Sequence, residues 1–122
     1  MSNKTTVVIG ASDNPDRYAY KAIMSLTNKG HLVYAEGQRK GIINDAIPIS
    51  VDRKPYKDID TVTLYVGAKN QPNWYEYILS LKPKRIIFNP GTENEELMQL
   101  AHDNQIETIE ACTLVMLSID IY

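Results

Sequence analysis

The chain has 122 residues, of which 43% are hydrophobic, and its formal net charge at pH 7 is −2. That length suits one globular domain with one core, and the slightly acidic charge does not indicate a broad nucleic-acid surface, although small basic clusters occur at Arg39–Lys40 and at Arg53–Lys54 with Lys57. The single cysteine excludes an internal disulfide framework, and no apolar run approaches the roughly 20 residues of a membrane span. We therefore expect one domain over residues 1–122, with a cytoplasmic location as the default.

The first predicted element is a strand at Thr5–Ile9, a β-branched run without the alternation of a half-exposed strand. Apolar residues at helical spacing then predict a helix over 18–27, and Gly30 supplies a left-handed residue that ends it. His31–Ala35 is predicted as a second strand. The stretch 38–56 is irregular, and we expect only one helical turn and a short extended piece there.

The rest of the chain continues the alternation of strands and helices. The predicted elements are a strand at Thr61–Val66, a helix from Pro72 to about Leu81, a strand at Arg85–Phe88, a helix from a Thr92–Glu95 capping box to about Asn104, a strand at Glu107–Glu110 and a last apolar segment over 114–121. Such alternation favours parallel pairing through right-handed crossovers. We therefore predict a Rossmann-like α/β fold, a doubly wound sheet of about five parallel strands in the order 3-2-1-4-5 with helices on both faces.

The loop after the first strand reads G-A-S-D-N-P and leads into the first helix. Gly10 permits a sharp turn, Ser12 offers a hydroxyl, and Arg17 can add a fork of donors. The free N–H groups at the start of a helix favour a phosphate. An ordinary strand-to-helix turn with a solvated arginine explains the same residues, so both interpretations stay open.

The nucleotide type is not settled by this loop. Ser12 and Pro15 stand where the dinucleotide fingerprint has its second and third glycines, so the loop fits that motif poorly. Glu36, at the end of the second strand, is placed to bind a ribose as in NAD-binding proteins. Arg39 and Lys40 instead favour an additional phosphate, or are solvated surface residues.

Two later loops reach the same edge of the predicted sheet. Asn89 can present its amide to a ligand and Gly91 can allow one to approach, although simple helix entry explains them too. Cys112 follows the fifth strand, and a lone cysteine is usually buried and inert unless it faces a cleft, where it can pair with a ligand thiol. The sequence has no metal-ligand spacing, no G-x-S-x-G elbow and no lysine-bearing P-loop.

The segments VVIGASDNPDRYAYKA, IFNPGTENEEL and EACTLVML resemble the opening motif and later loops of the small CoA-binding domain proteins, and the resemblance covers Lys4–Leu117. That family is similar to the CoA-binding domain of succinyl-CoA synthetase. The resemblance implies a Rossmann-like five-stranded sheet and coenzyme A as the cofactor. Because the ATP-grasp domain and phosphohistidine loop of the full synthetases are missing, we expect binding of CoA or an acyl-CoA without independent catalysis.

The resemblance also implies where the cofactor lies. The G-A-S loop and Arg17 would meet the phosphates, and Gly37–Lys40 would take the ADP end, although AEGQRK replaces the proline-rich turn of many members. The candidate CoA-binding residues are Gly10, Ala11, Ser12, Asn14, Pro15, Arg17, Tyr18, Gly37, Gln38, Arg39, Lys40, Val66, Gly67, Asn89, Pro90, Gly91 and Cys112. We predict no catalytic residue and no metal site.

The expected partner is the small molecule itself, CoA or an acyl-CoA, and neither nucleic acid nor a membrane. A homo-oligomer or an acyl-CoA synthetase partner is compatible with the sequence. Two alternative functions stay open: an NAD-type nucleotide-binding regulatory protein, for which Glu36 is the favouring residue, and a CoA-site subunit of an acyl-CoA ligase complex.

Overall fold

The computed structural model describes residues 3–122, which form one mixed sheet covered by helices. In chain order its elements are β1 (Thr6–Ile9), α1 (Tyr18–Asn28), β2 (Val33–Glu36), β3 (Gly41–Ile43), β4 (Ile47–Ser50), β5 (Thr61–Leu64), short 3-10 turns at Ala68–Asn70 and Pro72–Trp74, α2 (Tyr75–Ser80), β6 (Arg85–Phe88), α3 (Glu95–Asp103), β7 (Glu107–Glu110) and α4 (Thr113–Ser118). No helix in this part of the chain is long and apolar enough to cross a membrane.

The strands are arranged in the order β3-β4-β2-β1-β5-β6-β7, so β1 lies at the centre. All neighbouring strands pair in parallel except β3, which is antiparallel to β4. In the central register Thr6 lies opposite both Val33 of β2 and Thr61 of β5. Every residue of β1 and β5 is buried, as expected for parallel strands with helices on both faces.

The predicted fold class is confirmed, but the strand count and order differ from the prediction. We expected about five strands in the order 3-2-1-4-5, whereas the sheet has seven within the described residues. The hairpin β3–β4 lies in a stretch that we predicted to be irregular, and β4 pairs with β2. This hairpin occupies the position predicted for the third strand, and β5 instead lies between β1 and β6.

The hairpin forms because its turn suits a left-handed backbone. Asn44 and Asp45 have φ values of 52° and 55°, a conformation that asparagine and aspartate adopt more readily than most residues. On either side of the turn, Ile43 and Ile49 are buried in the same apolar cluster as Val8 of β1. Burial of these isoleucines fixes the register of the pair.

Alternate residues of the central strands point to opposite faces of the sheet and build two apolar layers. One layer joins Val7 and Ile9 of β1 with Ile78 of α2 and Leu97 of α3. The other joins the β1 residue between them, Val8, with residues of α1 and α4. Helices therefore cover both faces, as predicted.

The start of α3 corrects a predicted capping box. The helix is capped by Asn94, whose Oδ1 accepts hydrogen bonds from the N–H groups of Glu96 at 3.1 Å and Leu97 at 3.4 Å. Thr92 is buried and its hydroxyl donates to the Asn89 carbonyl oxygen at 2.8 Å. The Thr92–Glu95 box is therefore wrong, because the helix begins two residues after the position that such a box requires.

His31, just before β2, is a buried imidazole held in its neutral form. It is 5% exposed, and its Nδ1 accepts a hydrogen bond from the Lys4 N–H at 2.9 Å. Burial is the main reason why the pKa of His31 lies below its usual value of 6.5, and the charges of Lys4 and Arg85 lower it further. A proton on Nδ1 would also displace the Lys4 hydrogen bond.

We expect acid to destabilise the fold through His31. Because the pKa is lower in the folded chain than in the unfolded chain, the unfolded state takes up the proton first as the pH falls below 6.5. Thermal unfolding followed by circular dichroism at about pH 7.5 and about pH 5.5 should show a lower melting temperature in acid. His31→Gln should reduce that difference. An equal difference in the His31 variant would contradict the assignment.

Candidate functional site

The carboxyl ends of β1, β2, β5, β6 and β7 meet at one edge of the sheet, which we call the carboxyl edge. The candidate residues of the sequence analysis come from the loops after these strands or from the start of the helix that follows. Because the strands are parallel, the topology brings all of these loops to the same side of the molecule. Their contacts show which loops meet.

The first loop folds tightly over the end of the sheet. Gly10 has a φ of +92°, and a Cβ atom there would lie 2.7 Å from the Tyr65 carbonyl oxygen and 2.9 Å from Val66 Cγ2. The N–H groups of Gly10 and Ala11 both donate to the Glu36 carbonyl oxygen, at 2.9 and 3.0 Å. These two N–H groups already make hydrogen bonds inside the protein and are not free to bind a ligand. Only a glycine fits at position 10.

The next residues form a polar turn that leads into α1. Ser12 Oγ accepts a hydrogen bond from the Asn14 N–H at 3.1 Å, and Asn14 Oδ1 accepts one from the Asp16 N–H at 3.0 Å. Arg17 is extended and provides no side-chain cap, so the first N–H groups of α1 have no cap from the residue before the helix. Asn14, Pro15, Arg17 and Tyr18 are exposed. An uncapped helix start beside an exposed arginine is the local geometry that an anion needs.

The loop after β2 packs directly against the first loop. A Cβ atom on Gly37 would lie 2.7 Å from the Ala11 carbonyl oxygen, and one on Gly41 would lie 2.6 Å from the Asp13 carboxylate. Gln38, Arg39 and Lys40 lie between these two contacts and are exposed. The structure therefore brings the basic pair Arg39 and Lys40 beside the first loop.

Glu36, the residue on which the NAD alternative depends, is fully buried. Its carboxylate accepts hydrogen bonds from the Arg53 N–H at 2.9 Å, the Lys54 N–H at 3.3 Å and the Tyr56 hydroxyl at 2.7 Å. Burial raises the pKa of the Tyr56 hydroxyl, and its hydrogen bond to Glu36 raises that pKa further. The carboxylate thus holds the 53–56 segment against the sheet and is not presented to a ribose.

The side chain of Asn89 also makes its hydrogen bonds inside the protein. It is 2% exposed, and its Nδ2 donates to Thr63 Oγ1 at 2.7 Å and to the Leu64 carbonyl oxygen at 2.8 Å. Its Oδ1 accepts from the Thr113 N–H at 2.8 Å. Asn89 therefore braces the ends of β5 and β6 against the start of α4, and its side-chain amide makes internal hydrogen bonds.

The remaining candidates leave open space at the carboxyl edge. Val66 is half-buried, whereas Gly67, Pro90 and Gly91 are exposed. A Cβ atom on Gly67 or Gly91 would meet nothing within 4 Å. A side chain at either glycine would therefore point into open space.

A cavity of about 240 Å³ opens at this edge between the two helices on one face of the sheet. It is lined by Tyr18, Tyr65, Asn89, Pro90, Cys112 and Leu114. The half-buried Cys112, a free thiol, is the residue immediately before α4. The structure thus brings four of the candidate residues together, from α1, the β6 loop and the β7 loop.

Tyr65 and Leu114 were not among the predicted site residues. The predicted third strand extended to Val66, whereas β5 ends at Leu64, so Tyr65 belongs to the loop at the carboxyl edge. Leu114 lies within the EACTLVML stretch quoted above, at the start of the last apolar segment, but the pattern does not single it out. A predicted strand that ended at Leu64 would have placed Tyr65 among the loop residues of the carboxyl edge.

Two wider grooves are lined mostly by residues outside the candidate set. One, of about 660 Å³, is at the opposite edge of the sheet, the amino edge, and is lined by residues such as Thr5, Lys57 and Lys84. The other, of about 600 Å³, runs beside β2 and β4 and includes only Lys40 among the candidates. Size alone does not locate the site, because ligands of open parallel sheets bind beyond the carboxyl ends of the strands. Within residues 3–122, no three His, Cys, Asp or Glu side chains are placed to hold a metal ion.

The sequence profile of the family described as "CoA binding domain" matches residues 4–118. The chain belongs to the CoA-binding domain family. Membership of this family supports binding of CoA in general, and it confirms the resemblance seen in the opening motif and later loops. No curated protein matches this CoA-binding domain protein.

Solved structures similar to this CoA-binding domain protein agree on the architecture. A crystal structure described as an uncharacterized protein has a TM-score of 0.96 and 46% identity, over 100% of both chains. A hypothetical protein from Pyrococcus horikoshii OT3 has a TM-score of 0.81 and 24% identity, over 93% of this chain and 80% of that one. Cell-free ID.343 from Thermus thermophilus has a TM-score of 0.84 and 16% identity, over 98% and 91%. The last two likenesses concern the fold alone.

Proposed function

We propose that this protein binds CoA or an acyl-CoA at the carboxyl edge, with the diphosphate at the first loop and the start of α1. The observation that carries the proposal is the uncapped start of α1 beside the exposed Arg17, in a chain of the CoA-binding domain family. Backbone N–H groups at a helix start and a guanidinium fork are the donors that a diphosphate takes. The residues present therefore fit the cofactor.

The basic pair after β2 supports a second anchoring point. Arg39 and Lys40 are exposed and lie between the contacts Ala11–Gly37 and Asp13–Gly41. CoA differs from NAD in carrying a phosphate on the 3′-oxygen of its adenosine ribose, and that dianion suits a pair of cations. We assign Arg39 and Lys40 to this phosphate. The remaining candidates, among them Val66, Gly67 and Gly91, line the path of the pantetheine arm.

The buried carboxylate of Glu36 argues for CoA over an NAD-type nucleotide. In NAD sites an acidic residue after the second strand binds the ribose hydroxyls. Here that residue accepts three hydrogen bonds from the 53–56 segment and is fully buried. An adenosine at this position would have to be held by other groups, and the exposed cations favour one that carries a phosphate.

We further propose that the chain acts as a single cytoplasmic domain that binds its ligand without catalysing a reaction. The candidate residues include no nucleophile with an adjacent base, and the one cysteine is a free thiol. A homo-oligomer, or a CoA-site subunit of an acyl-CoA ligase complex, stays a prediction. Co-purification of a ligase partner from native extract tests it.

Titration calorimetry with CoA, 3′-dephospho-CoA, NAD and ATP tests the proposed function. We expect CoA to bind more tightly than NAD or ATP. Replacing Arg39 and Lys40 together by alanine should weaken CoA binding by at least about tenfold, because hydrogen bonds to charged groups contribute about 1.5–3 kcal/mol. The same double variant should bind 3′-dephospho-CoA as the wild type does.

A matched control is the double variant Lys82→Ala, Lys84→Ala, which removes two exposed cations at the amino edge. It should leave CoA affinity unchanged, which separates a local contact from a general effect of net charge. Tight binding of NAD with no response to CoA would contradict the proposed function.

A further inference from the structure

One end of the sheet is formed by β3, whose outer edge has no neighbouring strand. Within residues 3–122, β3 comes first in the strand order and pairs with β4 alone. None of its three residues, Gly41, Ile42 and Ile43, is charged. The strand at the other end of the sheet, β7, has an exposed glutamate at each of its ends, Glu107 and Glu110. Charges on an edge strand discourage pairing with another chain, and β3 itself carries none.

Pro48 of β4 determines which backbone groups of β3 point outward. Ile42 lies opposite Pro48 in the antiparallel register of the two strands. Opposed residues in such a pair alternate between hydrogen-bonded and non-hydrogen-bonded, and proline has no N–H, so Ile42 and Pro48 form a non-hydrogen-bonded pair. The N–H and C=O groups of Ile42 therefore point away from β4 to the open edge. No loop or side-chain partner of these two groups is found within residues 3–122.

The side chain of Ile42 lies at the end of an apolar row on one face of the sheet. The row runs from Ile42 to Pro48, and the parallel register of β4 with β2 continues it to Tyr34. Tyr34 is packed against the apolar layer of α2 and α3 and stacks on Tyr56, with the ring centroids 4.1 Å apart. Pro48 is exposed, and Ile42 is 61% exposed. The end of the row at β3 is therefore open to solvent.

We propose that two copies of this chain pair through β3 in an antiparallel arrangement centred on Ile42, which joins their two sheets into one. Each Ile42 N–H then donates to the Ile42 carbonyl oxygen of the other copy, so the outward groups of both copies are paired. The two Ile42 side chains meet on the same face and remove each other's apolar surface from water. Because the strand pairs with itself, the contact closes into a two-fold dimer.

The charges at the two ends of β3 favour the same arrangement. Arg39 and Lys40 precede the strand, and Asp45, in the turn of the hairpin, follows it. Since the two strands run in opposite directions, the basic end of one lies beside the acidic end of the other. A parallel pairing of the same strands would place like charges together.

Sedimentation equilibrium from about 5 to 500 µM, in the absence of CoA, tests the proposal independently of the proposed function. We expect a reversible monomer–dimer equilibrium, since a contact built around a three-residue strand is small. Ile42→Lys should weaken dimerisation at least about tenfold, because the apolar contact is lost and two lysines face each other across the axis. The matched control is Ile121→Lys, just after α4, at a residue that is also 61% exposed. It should leave dimerisation unchanged.

Amide hydrogen exchange followed by NMR gives a second readout, which needs no substitution. The N–H of Ile42 points to solvent in a single copy, so it should exchange quickly in dilute protein and become protected as the concentration rises. The N–H of Ile43 points towards β4 and should be protected at every concentration.

Three results would overturn the proposed dimer. The first is a monomer throughout the concentration range. The second is a dimer that survives in Ile42→Lys, which would place the interface on another surface, and on the α4 side if Ile121→Lys abolishes it. The third is exchange at the Ile42 N–H that does not depend on concentration.

Discussion

Replacing Asn89 by alanine should lower the free energy of unfolding by about 3 kcal/mol, because three buried polar groups, two on β5 and one on α4, each lose a hydrogen bond. The groups are the Thr63 hydroxyl, the Leu64 carbonyl oxygen and the Thr113 N–H. Each unsatisfied buried group costs about 1–3 kcal/mol, and Thr63 keeps its bond to Thr113. Urea unfolding followed by circular dichroism measures the change.

A matched control for Asn89→Ala is Asn104→Ala. Asn104 is exposed and its Nδ2 makes one hydrogen bond, to the Leu100 carbonyl oxygen at 2.7 Å. Because water can replace that bond, the cost there should stay below about 1 kcal/mol. Similar losses in the two variants would contradict the role of Asn89 as a brace.

The Asn89 substitution should also be visible at the cavity. Thr113 begins α4, and Cys112 precedes it in the cavity wall. Without the Asn89 acceptor, the start of α4 is less firmly held, so Cys112 should react faster with iodoacetamide. The rate of alkylation in Asn104→Ala should equal that of the wild type.

The second large effect is expected at Gly10, where a side chain meets two separate obstacles. The φ of +92° costs an L-residue about 1–2 kcal/mol. A Cβ atom would also lie 2.7 Å from the Tyr65 carbonyl oxygen, which is too close, and forced packing costs about 1–3 kcal/mol. Gly10→Ala should therefore lower the free energy of unfolding by about 3–4 kcal/mol and displace the first loop, which also abolishes CoA binding.

Three other glycines of the carboxyl edge allow the cost of the positive φ and the cost of the close contact to be measured separately. Gly91 has a φ of +89° with nothing within 4 Å of an added Cβ, so Gly91→Ala measures the backbone cost alone. Gly37 has the close contact, 2.7 Å to the Ala11 carbonyl oxygen, without a positive φ. Gly67 has neither obstacle. Urea unfolding of the four alanine variants should give the largest loss at Gly10 and the smallest at Gly67; equal losses at these two would contradict the account.

The sequence predicts a strand or helix correctly where that element forms mainly because of the pattern of its own residues. The β-branched run at the start predicts β1, and helical spacing of apolar residues predicts α1, because each pattern reflects burial by the sheet or the helix. The hairpin β3–β4 was missed because Pro48 interrupts its second strand and the strands have only three and four residues. That hairpin is stable only through Ile43 and Ile49 in the shared core, which a local pattern does not reveal.

The candidate site, too, was predictable from the sequence only in part. The position of the site at the strand ends follows from the alternation of strands and helices, so the loops could be named from sequence. The orientation of the Glu36 and Asn89 side chains could not be predicted, because their hydrogen-bond partners are distant in sequence. Glu36 binds the Arg53 N–H 17 residues away, and Asn89 binds the Thr113 N–H 24 residues away. A polar residue at a strand end is compatible with either a ligand or such an internal brace.

The most direct test of CoA binding at the carboxyl edge is a titration of ¹⁵N-labelled protein with CoA, followed by amide chemical shifts. If CoA binds there, the largest shifts should fall on Ser12, on Arg17 and Tyr18 at the start of α1, and on residues 37–40 after β2. Amides at the amino edge, such as those of Thr5 and Lys84, should not move. Shifts confined to that opposite groove, or no shifts at saturating CoA, would contradict the account.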